Sequence, residues 1–109
     1  MKLGEILSEN MLKLLLVNNK DLIKIFIVSQ KNCSPCITLK NFLESQDEKK
    51  GYVFYIINIT SNKDILRSNY LKQLNIKSTP FCFSVKTTST GDLTYTKISD
   101  LHSLFDNNF

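Results

Sequence analysis

The chain has 109 residues, 42% of them hydrophobic and 22% charged, with 14 Lys and Arg against 10 Asp and Glu for a net charge of +4. That length predicts one domain over residues 1–109, and the apolar content excludes a disordered chain and one that needs disulfides to make a core. The small, scattered positive charge argues against a nucleic-acid or membrane footprint and suits a soluble monomer.

From Leu3 to Leu15 the apolar positions Leu3, Ile6, Leu7, Met11, Leu14 and Leu15 recur at three- and four-residue steps, which predicts an opening helix ending near Asn18-Asn19. Leu22 to Val28 is apolar and β-branched apart from Lys24, as in a strand covered on both faces. After Cys33-Ser34-Pro35-Cys36, the positions Leu39, Phe42 and Leu43 keep helical spacing, and Pro35 suits a first helical turn, where its missing N–H is not needed. Gly51 closes a solvated charge run, and Tyr52 to Ile59 reads as a second strand. Ser61-Asn62-Lys63-Asp64 has the spacing of a capping box, with Ile65, Leu66, Tyr70, Leu71 and Leu74 as the face of a third helix. Phe81 to Lys86 and Leu93 to Ile98 flank a polar turn and predict an antiparallel hairpin. A last helix, capped by Ser99, then packs Leu101, Leu104 and Phe105 on the sheet. The expected architecture is α/β: a mixed four-stranded sheet in the order second, first, third, fourth, with helices on both faces and a helix at the start.

The chemistry concentrates in Cys33-Ser34-Pro35-Cys36, placed between a buried strand and a helix. On a first helical turn this spacing brings two sulfurs within bonding reach, and the helix N–H groups and dipole stabilise a thiolate at the first position. Cys33 is the expected nucleophile and Cys36 the resolving thiol, with no metal or organic cofactor. A zinc half-site is an alternative, yet only Cys82 and His102 remain as further ligands, at spacings that match no zinc pattern. Two packed core cysteines are another. His102 reads as a solvated helix residue and Cys82 as a small buried hydrophobe, with a regulatory thiol as its other reading. Ile37 and Phe81 flank the expected sulfurs and suggest an apolar docking rim.

With Ser78-Thr79-Pro80 opening the hairpin, this combination resembles the thioredoxin superfamily from Leu3 to Phe105. The resemblance implies a thioredoxin-like fold and a protein-disulfide reductase working through a reversible Cys33-Cys36 disulfide. It also implies a cis Pro80 facing the sulfurs and a Thr79 backbone free to pair with a client segment. Ser34 and Pro35 join Thr79 and Pro80 as substrate-contacting residues. Protein disulfides would be the clients, a thioredoxin reductase or glutathione the electron donor, and the cytoplasm the compartment, because three cysteines and no recognisable signal or membrane segment fit a reducing setting. Proline just before the second cysteine favours the thioredoxin side over the glutaredoxin side, and the paired glycines that hold glutathione in glutaredoxins do not follow Gly91. The chain departs from thioredoxins at Asn32, where they carry tryptophan, and at Ile27 and Ile56, where they carry a buried acid and its lysine. The glycine before the last helix is also replaced, by Thr96 or Lys97. A glutaredoxin-like enzyme recycled by glutathione, or a binding module that keeps the fold without turnover, are the alternatives.

Overall fold

The structure, a computed structural model, describes residues 1–106. It contains strands β1 (Gly4–Ile6), β2 (Ile23–Ser29), β3 (Tyr52–Asn58), β4 (Phe81–Thr87) and β5 (Leu93–Ile98), and helices α1 (Glu9–Val17) and α2 (Ser34–Ser45). The sheet runs β1-β3-β2-β4-β5. β1 and β2 each pair with β3 in parallel, whereas β2–β4 and β4–β5 are antiparallel. The four expected strands thus keep their expected order, and β1 adds a fifth at the edge.

That fifth strand lies inside the segment expected to open as helix. Ser8 supplies the physical reason, since its hydroxyl accepts from the Met11 N–H at 3.2 Å and so begins α1 at Glu9. Upstream of that cap, Ile6 is buried and Leu7 exposed, the alternation of a strand beside β3. Gly4 is required there, because a Cβ would lie 2.9 Å from Cδ1 of the Tyr55 ring. The buried face of α1 is also not the expected one: Leu12 and Leu16 are buried, while Leu7, Met11 and Leu14 are exposed.

The expected third helix is replaced by two short 3₁₀ turns, Lys63–Arg67 and Lys72–Leu74. Asn62 caps the first with no side-chain hydrogen bond, so the capping box is not used. Ser68 and Asn69 interrupt the segment with residues that form helix poorly, and Asn75, at φ 51°, ends it in the left-handed region. Ile65 and Leu71 still reach the core. The last helix is likewise a 3₁₀ turn, Leu101–Phe105, and its cap is Asp100, which accepts from the His102 N–H at 3.1 Å, in place of Ser99.

Side-chain alternation along β2 divides the interior in two. Phe26 and Val28 face Leu12 and Leu16 of α1 with Ile65 and Leu71, and the Phe26 ring stacks between Tyr55 and Phe83 at 5.5 and 5.2 Å. Ile25 and Ile27 face Leu39 and Leu43 of α2, with Leu101. Each such side chain contributes about 1.5–3 kcal/mol by leaving water, so β2 is the strand on which both layers depend. Lys24 is the exception in the strand: only 2% exposed, it donates from Nζ to the Leu16 carbonyl at 2.9 Å, at the C-terminal end of α1 where a cation is favoured. Burial pushes its ammonium below its ordinary value. Among the described residues, no helix is long and apolar enough to cross a membrane.

Candidate active site

The C-terminal end of β2 and the N-terminal end of β4 lie together because the strands are antiparallel, with Val28 opposite Phe81. From β2 the chain turns through Gln30, Lys31 and Asn32. Asn32 takes a left-handed φ of 62°, which asparagine tolerates better than most side chains, and the turn delivers Cys33 to the cap of α2. Cys33 Sγ accepts from the Cys36 N–H at 3.2 Å, doing the work of a capping oxygen, while the Cys33 carbonyl accepts the first helical bond from Ile37. Pro35 occupies the first turn.

Cys33 and Cys36 form a disulfide with their Cα atoms 5.2 Å apart. Both cysteines are buried, Cys33 at 8% exposure and Cys36 at 3%, whereas Ser34, Pro35 and Ile37 are exposed around them. Cys33 is the more exposed residue of the two and the one whose sulfur accepts the hydrogen bonds. The Thr79–Pro80 peptide bond is cis. Thr79 Oγ1 donates to Cys33 Sγ at 3.5 Å and accepts from Gln30 Nε2 at 2.9 Å. Sequence reasoning missed Gln30; the available signal was an amide side chain just past an apolar strand and just before the dithiol.

A cleft of about 560 Å³ opens beside the disulfide, lined by Pro35, Leu39, Pro80, Cys82, Ile98 and Leu101. Its walls bring together the Ser34-Pro35 segment, Pro80 and the end of β5, so three of the residues expected to contact substrate share one surface with Lys97 at its rim. Thr79, the fourth, is placed beside Cys33. Cys82 is a free, buried thiol opposite Ile27 on β2, and burial pushes its pKa up to about 11. His102 is exposed at the far end, its ring centroid 4.1 Å from that of Phe42 and its Nδ1 3.7 Å from the Asp100 carboxylate. Ile27 and Ile56 are register partners on β2 and β3 and share the apolar layer with Leu39. No buried ion pair underlies the dithiol at these positions. Among the described residues, no group of three or more His, Cys, Asp or Glu is placed to hold a metal ion.

No protein-family profile matches the chain, and no curated protein sequence does. Solved structures do. The Trx4 domain of ERdj5 superposes with a TM-score of 0.74 at 11% identity, over 94% of this chain and 91% of that one. Thioredoxin from Trichomonas vaginalis gives 0.70 at 14% identity over 94% and 91%. Thioredoxin from Schistosoma mansoni gives 0.70 at 19% identity over 95% and 90%. The chain has the thioredoxin fold. Identities of this size carry the fold alone. Within the thioredoxin-like architecture, the dithiol sits at the head of a helix that follows the central strand, and the cis Thr79–Pro80 bond lies beside it just before β4.

Proposed function

We propose that this thioredoxin-like chain is a thiol-disulfide oxidoreductase that reduces protein disulfides. The observation that carries the reading is the Cys33–Cys36 disulfide at the start of α2, with Cys33 Sγ in the position of the capping acceptor. In the reduced protein, the same N–H group and the positive end of the helix stabilise a Cys33 thiolate, the species that attacks.

Cys33 Sγ attacks one sulfur of the client disulfide, forming a Cys33–client bond and expelling the other client sulfur as a thiolate, which takes a proton from solvent. Cys36, having released its proton to solvent, then attacks Cys33 Sγ. The Cys33–client bond breaks, the second client sulfur leaves as a thiolate, and the Cys33–Cys36 bond closes. The client has gained two electrons and the protein has lost two. The sulfurs carry them, so the reading requires no further cofactor. Client segments would lie along the cleft against Ser34, Pro35 and Pro80, pairing with the Thr79 backbone as an added strand. A thioredoxin reductase or glutathione would return the pair to the dithiol, in a reducing compartment such as the cytoplasm.

The test is dithiothreitol-driven reduction of insulin disulfides by the wild type and by Cys33→Ser and Cys36→Ser. The reading expects loss of turnover in both and a trapped client mixed disulfide on Cys33 in Cys36→Ser alone. Turnover by Cys33→Ser, or a wild-type pair that never cycles, overturns it.

A further inference from the structure

The Gln30 side chain reaches across from just past β2 to Thr79, just before β4, and donates a hydrogen bond to its hydroxyl. A threonine hydroxyl has one hydrogen to give and two lone pairs to receive, whereas the Nε2 of glutamine can only give. With Gln30 Nε2 donating to Thr79 Oγ1 at 2.9 Å, one lone pair is taken and the single hydroxyl hydrogen is left for another acceptor. Cys33 Sγ, at 3.5 Å, receives it. Both bonds are partly buried, where water competes less and one hydrogen bond polarises the next.

We propose that Gln30 is a positioning residue for the nucleophile: by holding the Thr79 hydroxyl, it keeps that hydroxyl's hydrogen bond directed at Cys33 Sγ and stabilises Cys33 as a thiolate once the disulfide is reduced. The proposal rests on the redox reading above for its role in turnover. A hydrogen bond to a sulfur strengthens when the sulfur acquires charge, so the donor favours the thiolate over the thiol and holds the Cys33 pKa down. Without the glutamine, the hydroxyl is free to rotate and direct its hydrogen to water. The Cys36 N–H acts on the same sulfur from the helix side, so Cys33 faces one donor from α2 and one from the β4 loop.

The experiment is the pH dependence of iodoacetamide alkylation of Cys33, resolved by peptide mass spectrometry, in dithiothreitol-reduced protein after removal of the reductant. Wild type is compared with Gln30→Leu, Gln30→Met, Thr79→Val, Thr79→Ser and the Gln30→Leu/Thr79→Val double variant. Thr79→Val is expected to raise the Cys33 pKa by about one unit, and Gln30→Leu or Gln30→Met by about half a unit. Thr79→Ser keeps the hydroxyl and is expected to keep the wild-type value. The double variant is expected to match Thr79→Val alone, because Gln30 acts only through that hydroxyl. An unmoved pKa in a folded Gln30 variant overturns the proposal, as does an equal shift from Gln30→Leu with Thr79 present or absent. Protection of Cys82 from the reagent in each sample reports that the variant is folded, and the methionine variant covers a leucine variant that is not. Failure of the redox reading is a separate result: wild type that does not reduce insulin disulfides, whatever the alkylation values.

Discussion

Reducing the Cys33–Cys36 bond should lower the stability of this protein by an amount that also shifts the potential of the pair. The cysteines are three residues apart, so the bond closes a loop of only four residues, and chain entropy predicts a stabilisation of about 2 kcal/mol from constraining the unfolded state. The dithiol recovers part of this in the native state, because a Cys33 thiolate at the start of α2 gains about 0.3–1 kcal/mol from the helix terminus and a further share from its hydrogen bonds. The difference is about 1 kcal/mol in favour of the oxidised form, equivalent to a melting temperature about 5 °C higher for a chain of 109 residues. By the thermodynamic cycle, a native state that favours the disulfide makes the pair more reducing than the same dithiol in the unfolded chain, by roughly 20 mV. The assay is thermal unfolding at pH 7 with and without dithiothreitol, with Cys33→Ser/Cys36→Ser as the control whose melting should not respond to the reductant. A reduced form that melts at or above the oxidised form would refute the loop argument, because the native pair would then be no more reducing than the same dithiol in the unfolded chain.

Four further outcomes are expected. Cys82, with its pKa pushed up to about 11, should resist alkylation in the native protein at pH 7; labelling at the rate of Cys33 would contradict its burial. The same shift, upward from 9.0, makes the folded state bind the thiol proton more tightly than the unfolded chain. Its contribution is therefore complete below about pH 9 and lost as pH rises toward about 11, so the decline found in urea titrations should be smaller in Cys82→Ala, where the half-buried Tyr55 and Tyr95, with pKa values also raised, still contribute. Lys24 gives the opposite slope, since burial lowers its pKa from 10.5 and the unfolded chain binds its proton more tightly; stability relative to Lys24→Met should rise with pH up to 10.5, and a flat or falling difference would refute the assignment. Leu43→Ala, emptying a fully buried position on the inner face of α2, should cost about 3 kcal/mol in denaturant unfolding, and a loss below about 1 kcal/mol would show that the layer collapses into the gap.

The central strands, the dithiol helix and the hairpin were legible because their signals are local and do not compete. β2 is apolar on both faces over nearly its whole length, and Pro35 and Pro80 punctuate the chain where only turns or helix starts accept them. The opening segment was not legible in the same way. Leu3, Ile6 and Leu7 satisfy helical and strand spacing alike, and the edge of β3, which rewards the strand, is formed by residues about fifty positions later. The run Met11-Leu12-Lys13-Leu14-Leu15-Leu16-Val17 is apolar almost all round, so periodicity does not select Leu12 and Leu16 as the buried pair. Ile65 and Leu71 were readable as core positions, but the poor helix formers between them break the segment into 3₁₀ turns. Gln30 was hidden for a different reason. A polar residue after a strand is ordinary, and only the register of β2 against β4 turns it toward Thr79.

That register has a consequence for how variants of this protein are to be judged. Thr79 and Pro80 come just before Phe81, the residue opposite Val28, so their distance from the dithiol is set by which residues of β2 and β4 face each other. A slip of one residue would carry Thr79 about 3.3 Å along the strand and send alternate side chains of β4 to the other layer, placing Cys82 among the aromatic rings and Phe83 under α2. Helix and strand content would hardly change, so circular dichroism would pass such a chain as intact. The sulfur chemistry would not, because the alkylation profile of Cys33 depends on a hydroxyl borne by the neighbouring strand. Thiol reactivity is therefore a gauge of strand alignment, sensitive to a misfolding error that bulk measures of secondary structure overlook.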